Sequence, residues 1–180
     1  MITASELARR QQEAAGLFRA AGLFVRPGEV DAIEIADFGL SEFERSGLGI
    51  LVYVNTDRCC AKELAMWPRQ TCPEHLHPPV GEDPGKEETF RCRWGRVHLY
   101  VEGRPSRELH CTPPDAPPGA YTLRHEVILD PGDQYTIAPG TKHWFQAGDT
   151  GAVVSEFSSR SRDERDIFSD ERIRRSTRIV

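Results

Sequence analysis

From Gly49 to Ser158 the sequence is cut into short apolar runs by turn-forming residues, and this rhythm limits the fold more than any other feature. Ile50–Val54 (ILVYV) is one such run, and Ala61–Trp67 alternates loosely. Glu88–Trp94 and Val97–Val101 flank Gly95-Arg96, the pattern of a hairpin closed by a tight glycine turn. Tyr121–Leu129 reads as a further strand, followed by the turn Asp130-Pro131-Gly132-Asp133. Tyr135–Ile137, His143–Gln146 and Ala152–Ser158 complete the set, and the Pro-rich residues 102–119 read as a surface loop. About eight strands at this spacing predict an all-β jelly roll or barrel rather than a helical bundle.

The two ends follow other rules. Thr3 is placed to cap a helix over residues 3–21, with Glu6 at the capping-box position, and Gly22 is suited to end it. A second short helical turn is expected from Pro27-Gly28-Glu29. Residues 1–46 thus read as an arm packed on the barrel, residues 47–160 as the barrel itself, and residues 161–180 as a tail. From Arg160 onward, seven arginines are interleaved with five acids, which reads as a solvated face or an intersubunit strap. With mixed signs there and a net charge of −5, the chain is not expected to bind nucleic acid. No apolar stretch approaches the ~18 residues of a membrane span, and the N-terminus lacks the apolar region of a signal peptide. The five cysteines show no C-x-x-C spacing, so a reducing, cytoplasmic setting is expected, with small buried thiols.

The chemistry gathers in CPEHLHPPVGEDPGKEETFRCRWG. His75 and His77 are two apart, so on an extended strand both imidazoles face one side and can meet one ion. Glu88 opens the next run, and His143 follows a Pro-Gly turn in PGTKHWF. Three imidazoles and one carboxylate form a borderline donor set for a divalent manganese, iron, nickel, cobalt or zinc ion. Glu87 is the competing carboxylate, and it faces the opposite side of a strand from Glu88.

The order H-x-H, E-x6-G, then P-G-x-x-H resembles the two motifs of the cupins, and the E-x6-G spacing favours Glu88. This chain departs from the pattern in three ways. The His77–Glu88 gap is longer, Pro139 and Gly140 are adjacent, and Gln146 stands where Asn is common. The longer stretches YVNTDRCCAKEL, CPEHLHPP, GKEETFRCRWG, TKHWFQAG and DIFSDERI are similar to the bacterial D-lyxose isomerases of cupin type, from about residue 28 to about residue 173. The resemblance implies a cupin-type jelly-roll barrel with an N-terminal helical extension. It also implies His75, His77, Glu88 and His143 as metal ligands, manganese as the usual ion, a small sugar as substrate, and a homodimer.

An aldose–ketose isomerase needs a cation to polarise the carbonyl and a base to carry a proton between C1 and C2. Glu156, in the otherwise apolar or small-residue AVVSEFSS, is the first candidate for the base. A carboxylate there is costly unless a cation or a substrate meets it. Lys86, two residues before Glu88 and on its face, is the second candidate, and Lys62 in CAKEL is the third. Trp144 or Phe145 is expected to line the pocket, and Glu74, Arg91 and Arg93 are polar enough to meet substrate hydroxyls. His98, His110 and His125 read as hydrogen-bonded structural histidines. The same shell of three His and one Glu would also suit a cupin dioxygenase or oxidase, or a non-catalytic sugar- or metal-binding cupin. A sugar-phosphate isomerase would want a phosphate-binding cluster, and none stands out.

Overall fold

The computed structural model describes residues 1–180. Helix α1 (Ala4–Ala20) starts where the capping signal places it. Glu6 donates its backbone N–H to the Thr3 hydroxyl, and the Glu6 carboxylate accepts the Thr3 N–H in return. Ala21 closes the helix, and Gly22 follows in the left-handed region at φ 78°. Helix α2 is the single turn Pro27–Val30.

Nine strands follow: β1 (Glu34–Ala36), β2 (Leu48–Asn55), β3 (Cys60–Met66), β4 (Thr71–Leu76), β5 (Glu88–Val101), β6 (His125–Leu129), β7 (Gln134–Ile137), β8 (His143–Ser158) and β9 (Ile167–Phe168). They form one antiparallel sheet in the order β1-β2-β3-β8-β4-β9, with β5 laid along β8 and β6 and β7 paired to β5. This is the all-β, cupin-type barrel expected, with one N-terminal helix against it.

The expected Glu88–Val101 hairpin is instead one strand, and His143–Gln146 with Ala152–Ser158 is another. Pairing between them runs from Glu88↔Ser158 to Val101↔His143, with register shifts at Cys92/Trp94 and Gly95/Val97. These bulges bend both strands without ending the ladder. Gly95 therefore marks a bend. It sits at φ 73°, and a Cβ on it would lie 2.0 Å from the Gly151 carbonyl oxygen of the facing strand. The strand expected from Tyr121 begins only at His125, and β1 and β9 were not expected at all.

The curled sheet encloses a core of 19 residues, among them Leu48, Ile50, Leu64, Phe90, Leu99, Phe145 and Val154. A second apolar cluster lies outside the barrel. There α1 sets Ala14, Ala15 and Phe18 against Ile33, Ile35, Leu51, Ala65 and Val153. Burying a Phe or Leu side chain fully contributes about 1.5–3 kcal/mol, so α1 is held by packing on the sheet rather than by its own propensity. The last twenty residues do not project into solvent. Phe168 pairs with His75 across β4 and β9, and Ile173 enters the barrel core. The tail thus closes over one end of the barrel.

Candidate metal centre

His75, on β4, is paired directly with His143 at the start of β8. His77 lies one residue past the end of β4, and its ring centroid is 5.0 Å from that of His75 and 5.3 Å from that of His143. Glu88 opens β5 on the inner face, 1% exposed, with Oε1 3.1 Å from His77 Nε2 and 2.9 Å from His143 Nε2. The residues that sequence spacing grouped are therefore together. Glu87 is exposed, so strand parity separated the two carboxylates correctly.

The hydrogen bonds on the far side of each ring fix its tautomer. His75 Nδ1 faces the Pro73 carbonyl at 2.7 Å, and His143 Nδ1 faces the Thr141 carbonyl at 3.0 Å. A carbonyl only accepts, so both nitrogens carry the proton, and a neutral ring presents a lone pair at Nε2. His77 Nδ1 meets the Asp166 carboxylate at 2.5 Å, with the same consequence. The Nε2 atoms of His75 and His143 and the Glu88 carboxylate then face one small volume, and His77 Nε2 stands 3.1 Å from Glu88 Oε1 as its hydrogen-bond partner, so the group calls for a proton or a cation shared within it. His143 Nε2 is buried and makes no hydrogen bond of acceptable geometry, despite its proximity to Glu88. These donors fit a divalent ion, and each ring is oriented by an outer partner in the way metal-binding histidines are.

The charges agree. Burial disfavours the charged form of His77, but Glu88 and Asp166 outweigh it and lift the imidazolium to about 9. Burial, together with His143 and His77, pushes His75 well below the usual imidazole range. Burial also opposes the charge on Glu88, yet Lys86 and then His77 hold its carboxyl well below the usual range.

A cavity opens beside these residues. Leu48, Ile50, Leu64, Phe90, Phe145 and Phe168 form its apolar wall. Phe145 is the expected aromatic lining residue, while Trp144 faces away and stacks on Tyr100 at 3.9 Å between centroids. Across the cavity, Lys62 and Glu156 are register partners on β3 and β8. Lys86 Nζ lies 2.9 Å from Glu156 Oε1 and 2.7 Å from Glu88 Oε2, and Lys62 Nζ lies 3.5 Å from Glu156 Oε1. All three candidates drawn from the sequence therefore meet, and the cations that Glu156 required are these two ammonium groups. Ser158 Oγ also approaches Glu156 Oε1, at 3.4 Å. Every polar contact of Glu156 falls on Oε1, and Oε2 is left for a ligand.

The loop between His77 and Glu88 delivers Lys86. Its Gly85 sits at φ 105°, where a Cβ would stand 2.5 Å from the His77 carbonyl oxygen. Only glycine lets the loop pass this close.

The sequence reading missed the share taken by the tail. Asp163 accepts from Lys62 Nζ at 2.7 Å and lies 3.3 Å from Arg175 Nη2, and all three line the cavity. Burial opposes the Asp163 charge, but Lys86, Lys62 and Arg175 together hold it well below the ordinary carboxylate range. The one available signal was apolar Ile167-Phe168 and Ile173 among charges. Glu74, Arg91 and Arg93 do not line the cavity. Glu74 alternates with His75 and faces outward, where it accepts from Thr122, Leu123 and Ser169.

Asp166→Asn tests the outer partner of His77. An amide can present Nδ2–H to the ring and so favour the wrong tautomer. We expect divalent-ion affinity to fall by about 10–100-fold, the usual scale for an outer partner of a metal ligand. Isothermal titration on chelator-stripped protein checks this. Unchanged affinity would mean that Asp166 does not orient His77.

No family model matches the chain. Curated relatives do. A protein of Cohnella laeviribosi named D-lyxose ketol-isomerase is 57% identical over 171 residues, which span 95% of this chain and 94% of that protein. A Thermosediminibacter oceani protein named D-lyxose/D-mannose isomerase is 55% identical over 179 residues, 99% of each chain. A D-lyxose ketol-isomerase of Thermofilum sp. is 51% identical over the full length of both. Among solved structures, an L-ribose isomerase variant of Acinetobacter sp. DL28 in complex with L-ribose superposes with a TM-score of 0.81 at 17% identity, over 99% of this chain and 98% of that one. The ligand-free L-ribose isomerase of Cellulomonas parahominis gives 0.76 at 20% identity over the same shares. At such identities these two likenesses speak for the fold alone.

Proposed function

The chain belongs to the D-lyxose ketol-isomerase family, and from that premise we propose that it interconverts D-lyxose and D-xylulose, with D-mannose and D-fructose as the matching hexose pair. The metal ligands of this reading are His75, His77, Glu88 and His143. Manganese is the first expectation among the divalent ions this donor set accepts, which include zinc, cobalt, iron and nickel. The observation that carries the reading is the joint placement, around one cavity, of a cation-seeking cluster and a buried carboxylate with one free oxygen.

A bound divalent ion supplies positive charge where the substrate oxygen becomes negative. The chain supplies the rest. Glu156 Oε2 takes the proton from one of the two carbons and returns it to the other. Lys62 and Lys86 hold Oε1, so the carboxylate keeps its orientation while Oε2 works. Lys86, which also touches Glu88, stands between base and metal ligand and can donate to the substrate oxygens. Phe90, Phe145 and Phe168 keep water from the C–H bond being broken, which strengthens each of these polar contacts.

Turnover tests the proposal. The protein is stripped with a chelator, manganese is restored, and ketose is followed from D-lyxose, D-mannose and a sugar phosphate. Ketose from the free sugars, only with metal, is the expected result. No ketose from any of them, with the metal bound, would overturn the isomerase reading, and oxygen uptake would then test the oxidase chemistry the same shell allows.

We place the enzyme in the cytoplasm, since all five cysteines are free; fractionation of the source cells tests that. We also expect a homodimer. Val54, Ala61 and Phe157 form one row across β2, β3 and β8 on the outer face, and Val54 and Phe157 are exposed there. Sedimentation equilibrium at a monomer mass would refute it. No helix is long and apolar enough to cross a membrane.

A further inference from the structure

A second group of donor side chains lies away from the cavity, where the loop between β5 and β6 folds back on its own strands. His98 on β5 and Glu126 on β6 belong to the sheet, and Tyr100↔Glu126 is a register pair next to His98. His110 and Cys111 come from the loop. Donor atoms of His98, Cys111 and Glu126 all lie within 4.8 Å of one another. His98 Nδ1 is 3.0 Å from Glu126 Oε1, and His110 Nδ1 is 2.7 Å from Glu126 Oε2. His98, Cys111 and the Glu126 carboxylate are all buried, while His110 is exposed at the rim. An open cleft lined by His98, His110, Cys111 and Gln146 gives access from solvent.

We propose that this group is a second metal site, for zinc or a cation of similar softness, held by His98, Cys111 and Glu126 and completed by His110. The donor set is the first argument. One thiolate, two imidazoles and one carboxylate match the preference of zinc for sulfur and nitrogen in four-coordinate sites. The barrel centre offers no sulfur among its four ligands, so the two sites would take different ions. Spacing is the second argument. Ligands about 2.0–2.3 Å from a tetrahedral zinc stand about 3.3–3.8 Å from each other. His98 and His110 stand 3.0 and 2.7 Å from Glu126, closer than that range, and the His98, Cys111 and Glu126 donors lie within 4.8 Å of one another, so side-chain shifts that open the two hydrogen bonds would make room for the ion.

The site also has something to do. Residues 102–124 contain no helix or strand, and loops this long in compact domains are usually functional or disordered. Cys111 and His110 lie inside this loop, and His98 and Glu126 on the strands it joins. A zinc ion there would staple the loop to the sheet, and such binding contributes directly to folding.

Cobalt is the probe, because a cobalt–thiolate bond gives a charge-transfer band in the near ultraviolet that imidazole and carboxylate ligands do not. Chelator-stripped full-length protein should bind two equivalents, one of them with the thiolate band. The band should vanish in Cys111→Ser and persist in Cys72→Ser and in His77→Ala, whose thiol and ring belong to the barrel. His110→Ala alters only the exposed ligand and should weaken the band-bearing equivalent without unfolding the protein. Zinc should raise Tm less in Cys111→Ser than in the wild type. No thiolate band, or a band that survives Cys111→Ser, would overturn the proposal and leave a hydrogen-bonded cluster around Glu126.

Discussion

Replacing Glu156 with Gln should lower kcat on D-lyxose by about 10²–10⁴-fold, the usual contribution of a placed general base. The substitution is nearly isosteric, and its amide oxygen can still accept from Lys62 and Lys86 at the Oε1 position. What it loses is the ability to hold a proton. Manganese content should stay at the wild-type level, because Glu156 is not one of the four proposed ligands, and KM should move much less than kcat. Exchange of the C2 hydrogen with solvent should fall in step with kcat. A loss below about tenfold, or about 1.4 kcal/mol of barrier, would remove Glu156 from the base role and turn attention to Lys86. A parallel drop in metal content would say that the change disturbed the ion and not the proton transfer.

The site was legible in the sequence to the extent that it obeys strand parity. His75 and His77 face one way because they are two apart, and Lys86, Glu88 and Phe90 follow the same rule into the cavity. Phe145 points in and Trp144 out, as alternation requires. Parity also explains the failures. Arg91 and Arg93 have the odd phase on the strand that carries Glu88, and Glu74 the opposite phase to His75, so suitable chemistry was offset by orientation. Glu88–Val101 reads as a hairpin rather than one strand for another reason. A glycine that bends a bulged strand and a glycine that turns a hairpin look alike in sequence, and only the facing Gly151 distinguishes them at Gly95.

The tail was the least legible part, because long-range pairing has no local signature. Asp163, Asp166 and Arg175 sit in a stretch of alternating charge that an exposed segment could equally show. Ile167-Phe168 gives the two-residue strand that anchors them against β4, and two apolar residues are too few to read as a strand. The cost of their placement is met by neighbours that are distant in sequence. Asp163 answers Lys62 from about a hundred positions away, and Asp166 answers His77.

That mutual dependence predicts the second large effect. Lys86→Met should destabilise the metal-free protein by about 3–5 kcal/mol, the usual cost of orphaning buried charges. For a chain of this size that corresponds to about 6–20 °C in Tm. The Lys86 side chain is 5% exposed, with its ammonium 2.7 Å from Glu88, 2.9 Å from Glu156 and 3.7 Å from Asp163. Methionine fills the same space, so the loss is of charge rather than of packing. Lys62 still reaches Glu156 and Asp163, but Glu88 keeps only His77 and His143. Adding manganese should therefore raise Tm more in the variant than in the wild type, since a cation beside Glu88 then meets no competing ammonium. Lys86→Met with Glu156→Gln should recover part of the loss, because one orphaned charge is gone, and such non-additivity is expected of residues in contact. Thermal unfolding of stripped and manganese-loaded samples reads all of this. A metal-free Tm within about 2 °C of the wild type, under about 1 kcal/mol, would mean that Lys86 does not neutralise this cluster, and the charge balance proposed for the site would have to be redrawn.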